Sequence, residues 1–223
     1  MKTKLILLCF ALFIGCSSKQ PNNSVNALDK KFTEFLNKFD SLKLPFNIIS
    51  FDDIGEYIRD TTFEGIPNPH LKPIAGSELI FLKGKYIMDQ TNQYSSIYKK
   101  QINHNLLLII KQKCRIKEEH WIKLNLFSLN GVLQDTLTFA GQKVGYYNKY
   151  GKISSNLHIT TFSYHDIKED TANLDNYYAT EIYNEYSISN EGKFSLVKTK
   201  KERGYFTNYG KENIVARVDT LQR

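Results

Sequence analysis

The dipeptide Asn130-Gly131 sits between two runs of alternating apolar and polar residues, 121–129 and 132–139. Asn-Gly in such a setting is the strongest short-range hairpin signal, because both residues tolerate the left-handed backbone of a tight two-residue turn. A turn of that length fixes the register. Ile122 then faces Phe139 and Leu124 faces Leu137, while Lys123 faces Thr138 and Asn125 faces Thr136. One face is apolar and the other polar, the pattern of a half-buried antiparallel pair. Asp135 breaks the pattern. It falls opposite Leu126 on the apolar face, and so is expected near a sheet edge or bonded to the turn.

A second hairpin is expected from 180–189 and 193–200 around Asn190-Glu191-Gly192, with glycine in the left-handed position of a three-residue turn. Its register sets Ile188 opposite Phe194 and Tyr186 opposite Leu196. The unbroken apolar run 106–110 inside 102–112 reads as a central strand buried on both faces. A weaker hairpin is expected at 79–82 and 85–88 around Lys83-Gly84. Ahead of these strands, Leu28, Phe32, Phe35, Leu36, Phe39 and Leu42 recur at helical spacing, with Asn26 as cap and an end before Leu44-Pro45. The three phenylalanines on that stripe read as core. A short helix is expected over 50–59, opening on the acids Asp52 and Asp53, and a loop over 65–73. Asn105-Leu106 and Asn156-Leu157 each open a run followed by a hairpin, which hints at an internal repeat. The expected class is mainly β, α+β at the N-terminus: an antiparallel meander curled into a sandwich or open barrel, with the N-terminal helix over its open face. Propeller-like blades are the alternative, although two or three units are too few to close one.

The first fifteen residues stand apart. Lys2 and Lys4 precede the ten apolar residues 5–14, then Gly15 and Cys16. Ten helical residues span about 15 Å, half of a hydrocarbon core, so the run reads as a removable signal. Together with Phe13-Ile14-Gly15-Cys16 it resembles a bacterial lipoprotein signal peptide. The resemblance implies cleavage before Cys16, acylation of its thiol, and membrane anchoring through the lipid. Ser17 in the next position resembles the outer-membrane sorting pattern of enterobacterial lipoproteins. The polar stretch 16–26 reads as a tether, and 27–223 as one domain. Helix-then-sheet behind such a signal is similar to uncharacterised small lipoproteins of Gram-negative envelopes.

Composition excludes several classes. The chain carries a net charge of +7, and removing 1–15 takes away two lysines and no acid, leaving +5. That modest, scattered charge on an exported chain argues against a nucleic-acid partner. The basic cluster 198–203 reads as a protected strand edge. With Cys9 in the signal and Cys16 acylated, Cys114 stands alone, so neither a disulfide nor a cysteine-rich metal site is expected. His70, His104, His120, His158 and His165 show no zinc-protease spacing, and neither a nucleophile elbow nor a phosphate-binding loop occurs. No metal, cofactor or catalytic residue is assigned. Tyrosine is the one suggestive residue type. Tyr146, Tyr147, Tyr150, Tyr177 and Tyr178 fall in Gly/Asn-rich stretches expected to be connections, where tyrosine offers rigid contact area and a hydroxyl for a ligand. The expected function is a binding or accessory module of the cell envelope, contacting a protein, peptide or glycan. The alternatives are an envelope hydrolase with carboxylates drawn from separate strands, and a structural subunit of an envelope complex.

Overall fold

The computed structural model describes residues 23–48, 71–83, 91–114, 116–117, 119–143, 147–169, 176–207 and 214–217. Cys16, the helix expected over 50–59 and Tyr146 lie outside them. The described chain is mainly β. Helix α1 (Asn23–Leu36) leads to the short strands β1 (Asp40–Ser41) and β2 (Phe46–Ile48), then β3 (Lys72–Ile74), one turn of 3-10 helix and α2 (Leu79–Lys83). Nine strands follow: β4 (Asn92–Ile102), β5 (Asn105–Cys114), β6 (Glu119–Ser128), β7 (Leu133–Lys143), β8 (Tyr147–Ile153), β9 (Ile159–Glu169), β10 (Asn176–Ile188), β11 (Phe194–Thr207) and β12 (Ile214–Arg217). From β4 to β12 each strand pairs with the next, all antiparallel, in one sheet. This continuous meander replaces the propeller-like alternative, and the sheet curls without closing into a barrel.

The expected hairpins form, with refinements. Lys123–Thr138, Leu124–Leu137, Asn125–Thr136 and Leu126–Asp135 pair as the Asn-Gly register requires. A bulge on either side shifts the rest, so Ile122 meets Ala140 rather than Phe139, and Phe127 meets Leu133. The turn holds three residues, not two. Ser128 N–H donates to Val132 O at 2.9 Å, Gly131 N–H donates to Ser128 O at 3.1 Å, and Gly131 has φ +86°. The β10–β11 hairpin has the expected three-residue turn, with Gly192 at φ +75° and Ile188–Phe194 and Tyr186–Leu196 paired. The β8–β9 turn repeats the pattern: Ser154 N–H donates to His158 O, and Leu157 takes φ +65°. Asn156-Leu157 therefore lies in a turn and does not open a strand. What repeats is a turn, not a strand–loop–hairpin unit. In all three turns the serine hydroxyl also accepts the closing N–H, from Val132, His158 and Lys193 at 3.0–3.2 Å.

Two cores flank β5. Leu107 and Ile109 enter one cluster with Ile97, Leu124, Leu126, Phe139 and Ile153, while Leu106, Leu108 and Ile110 enter a second with Phe32, Phe35, Phe39, Phe81 and Phe127. Strict alternation between two cores is what a strand buried on both faces requires. The aromatic stripe of α1 is core, as expected: Phe32 and Phe35 both lie 5.1 Å from Phe81, centre to centre. The helix itself differs from expectation. It starts at Asn23, inside the stretch expected as a tether, and ends at Leu36. Lys99 Nζ caps the Leu36 carbonyl at 2.7 Å, and β1 then pairs parallel with β4. Leu42, past the helix, joins the first core instead.

Two expectations fail upstream of β4. The apolar run from Leu79 is helical rather than a strand, so the hairpin around Lys83-Gly84 does not form. Glu78 Oε2 accepts the Ala75 N–H at 3.1 Å and the Lys38 ammonium at 2.7 Å, which fixes the start of this segment and sets Phe81 against α1. Within the expected loop 65–73, Lys72 and Pro73 belong to β3, on the outer edge of β4, where a proline is tolerated.

Candidate functional site

On the face of the sheet that carries the second core, the apolar floor ends at Ile110. Beyond it lies a half-open cleft of about 110 Å³. Register places its floor. Leu108, Asn125 and Thr136 lie opposite one another across β5, β6 and β7; Ile110 lies opposite Lys123; Tyr94 lies opposite Gln112. Directly paired residues share a face, so these side chains converge. Leu82 of α2 supplies a wall.

The polar groups here are unequally satisfied. Thr136 Oγ1 donates to Asn125 Oδ1 at 3.0 Å, and the Asn125 amide donates to the Lys123 and Leu108 carbonyls at 3.3 and 3.5 Å. Gln112 Nε2 donates to Asn92 Oδ1 at 3.0 Å. Lys123 is the exception. It is half-buried, and its ammonium makes neither an ion pair nor a hydrogen bond with any described residue. Burial alone lowers its pKa from the usual lysine value, because desolvation disfavours the charged form. Lys149 on β8 is lowered in the same way, by burial.

A desolvated cation without an anion costs stability, and most such groups in proteins are paired. One kept at the rim of a cleft is a candidate ligand contact. Lys123 was legible in the sequence as a polar-face residue. The cover from α2 was not, and so neither was its desolvation.

The tyrosines take other positions. Tyr147 and Tyr150 lie in β8, and Tyr177 and Tyr178 in β10, so these four are strand residues rather than loop residues. The glycine content that suggested a connection has a different cause: Gly151 is a strand position where the Phe139 ring lies so close that a Cβ would meet it at 2.4 Å. Tyr150 is 3% exposed and packs edge-on to Tyr164 at 5.9 Å, which removes it from any ligand surface. Tyr178 is half-buried.

Two other arrangements carry chemistry. Tyr164, 2% exposed, donates its hydroxyl to Glu181 Oε2 at 2.9 Å, and Glu181 pairs directly with Glu202 on β11. Glu202 in turn holds Lys200 at 2.5 Å. Asp135, the acid on the apolar face, accepts the Phe194 N–H at 2.8 Å and its neighbour Thr136 N–H at 2.8 Å. It is bonded to a turn, as expected of one of its two options, but to the tip of β10–β11 rather than to its own. Glu119 and His120 begin β6, and His158 sits in the β8–β9 turn. Among the described residues no group of three or more His, Cys, Asp or Glu side chains could hold a metal. Cys114 is a half-buried free thiol, and no described helix is long and apolar enough to cross a membrane.

Comparison with known proteins returns no match: no protein-family model, no curated protein and no solved structure resembles the chain closely enough to register. The chemistry of the cleft therefore carries the functional reading.

Proposed function

We propose that the chain is a lipid-anchored binding module of the cell envelope, held through Cys16 and presenting the cleft beside Lys123 to its ligand. One observation carries this reading: a half-buried ammonium with no partner among the described residues, at a cleft that also offers oxygen acceptors on Asn125, Thr136 and Gln112. Such a lysine destabilises the free protein, and a ligand anion would relieve that cost on binding. Binding rather than catalysis fits because, among the described residues, Lys123 pairs with neither an acid nor a base. The anchor rests on the lipobox-like residues at Cys16, with outer-membrane attachment as the expected destination.

Affinity capture of the tagged, membrane-bound chain tests it. Wild type is expected to bring down an envelope component that Lys123→Ala loses, while Cys16→Ser releases the chain from the membrane. Capture unchanged by Lys123→Ala would remove the cleft from the account.

A second reading, an envelope hydrolase, has one observation in its favour. Glu181 and Glu202 are direct cross-strand neighbours, and such pairs have Cβ atoms about 5 Å apart, near the carboxyl spacing of retaining glycoside hydrolases. Both carboxylates are engaged, by Tyr164 and Lys200, which suits a cross-strand network equally well. Glycan turnover abolished by Glu181→Gln would establish the enzyme.

A further inference from the structure

We infer that the cleft takes a small hydroxy-carboxylate, either a free hydroxy acid or the exposed end of an acidic sugar. The inference rests on the binding-module reading and names the ligand's chemistry.

The argument is an inventory of unused hydrogen-bonding capacity. Lys123 offers three N–H donors and one positive charge, with no acceptor among the described residues. Asn125, Thr136 and Gln112 at the floor each have an oxygen with accepting capacity to spare, and Gln112 adds one amide N–H. Asn125 directs its amide hydrogens at two backbone carbonyls, and its Oδ1 holds one hydrogen bond where it can accept two. Thr136 has given its hydroxyl proton to that same oxygen, so Thr136 Oγ1 can only accept. Gln112 donates one amide N–H to Asn92, and its second N–H and its Oε1 make no hydrogen bond among the described residues.

A complementary ligand therefore carries one anionic oxygen group for the lysine and hydroxyl donors for the three acceptors. A simple fatty acid satisfies the lysine and buries the acceptors unpaired, which is costly. A neutral sugar satisfies the acceptors and leaves the ammonium bare. A phosphate dianion brings twice the charge of the single lysine and lone pairs where donors are needed. The Tyr94 ring provides an apolar surface beside these groups, suited to the C–H face of a sugar or the short chain of a hydroxy acid. Size agrees: about 110 Å³ is roughly four liquid-water volumes. The cleft holds the acid end of a ligand, and the remainder projects through the open side.

The experiment titrates the full-length anchored chain in micelles with four probes: glucuronate, lactate, glucose and propionate. The readout is titration calorimetry, applied to wild type and variants alike, with the Lys123 side-chain nitrogen resonance, assigned with Lys123→Arg, reporting contact in the wild type. Glucuronate or lactate is expected to bind about ten- to hundredfold more tightly than glucose or propionate, the factor expected of one charge-assisted hydrogen bond and its companions. Lys123→Ala is expected to abolish this preference. Saturation by glucuronate alone identifies an acidic sugar; equal saturation by lactate identifies a small hydroxy acid. Glucose or propionate binding as well as glucuronate would overturn the inference, as would hydroxy-acid binding indifferent to Lys123→Ala. If neither hydroxy acid saturates while envelope capture still depends on Lys123, the ligand class is wrong and the binding module stands. If capture is also indifferent to Lys123, both fall.

Discussion

Hairpins β6–β7 and β10–β11 turn the same way. In each a serine closes a three-residue turn with a glycine in the left-handed region, and its hydroxyl takes the final N–H. What surrounds them differs. On β6, Ile122, Leu124, Leu126 and Phe127 are fully buried, between the first core on one side and α1 on the other. On β11, residues 195–201 are all exposed, Leu196 and Val197 by more than half. The tip of this second hairpin is docked through Phe194 N–H on Asp135 and the Asn105 amide on Asn190 O, while β10 is held by β9 and by Ala179 in the first core. Local turn chemistry thus specifies both hairpins equally, while stability is concentrated where distant segments supply cover. The β11 edge carries Lys198, Lys200, Lys201 and Arg203, which discourage pairing with another strand.

The contrast can be broken by substitution, and the largest effect belongs to the covered region. Phe35, fully buried between Phe39 and Phe81, is expected to cost about 3–5 kcal/mol on replacement by alanine, read from denaturant unfolding. Next come the two turn glycines. At Gly131 a Cβ would meet the buried Phe32 ring at 2.8 Å; at Gly192 it would meet the amide end of the Gln134 side chain, which can swing away. Both substitutions strain a left-handed residue by about 1–2 kcal/mol, and Gly131→Ala adds roughly 1–3 kcal/mol of overpacking. Equal losses at the two glycines would erase the proposed difference in cover. Asp135→Ala comes third, at about 1–3 kcal/mol, since it leaves the Phe194 N–H without its acceptor. Amide exchange should quicken at Phe194 and stay slow at Leu124. Uniform quickening across both strands would mean the two hairpins open as one unit. The smallest effect is Leu196→Ser, within about 0.5 kcal/mol.

Much of this was legible where the decisive contacts are local or periodic. The alternation at 121–126 set the central β6–β7 pairs, Gly192 set the β10–β11 turn, and the run 106–110 marked the strand between two cores. The failures share a cause. Leu79–Leu82 is four apolar residues with no period, and only the reach of Phe81 to α1 makes it helical. The bulges beside Ile122 and Leu126 leave no trace in alternation that short. Tyr150 is a strand residue because Gly151 lets β8 lie against Phe139, a contact between strands whose sequence runs carry no sign of it. The same limit hid the site. Lys123 falls on the polar face of its hairpin, as read, but Leu82, which lines the cleft with it, comes from far upstream in the chain.

The central claim is that Lys123 is a half-buried cation, unpaired among the described residues and kept for a ligand, and unfolding of Lys123→Met from neutral to alkaline pH tests it most directly. Burial lowers the folded-state pKa of Lys123 below its usual 10.5. Unfolded chains then hold that proton more tightly, so wild-type stability rises as pH climbs from the folded pKa toward the unfolded value. Below the folded-state pKa both states are protonated and the full cost of burying the charge is present. The variant is therefore expected to be more stable than wild type at pH 7, by on the order of 1 kcal/mol, or about 2–4 °C in Tm. That advantage should shrink as the lysine loses its proton. A variant less stable than wild type at pH 7, with a deficit that holds or shrinks as pH rises, would contradict the account.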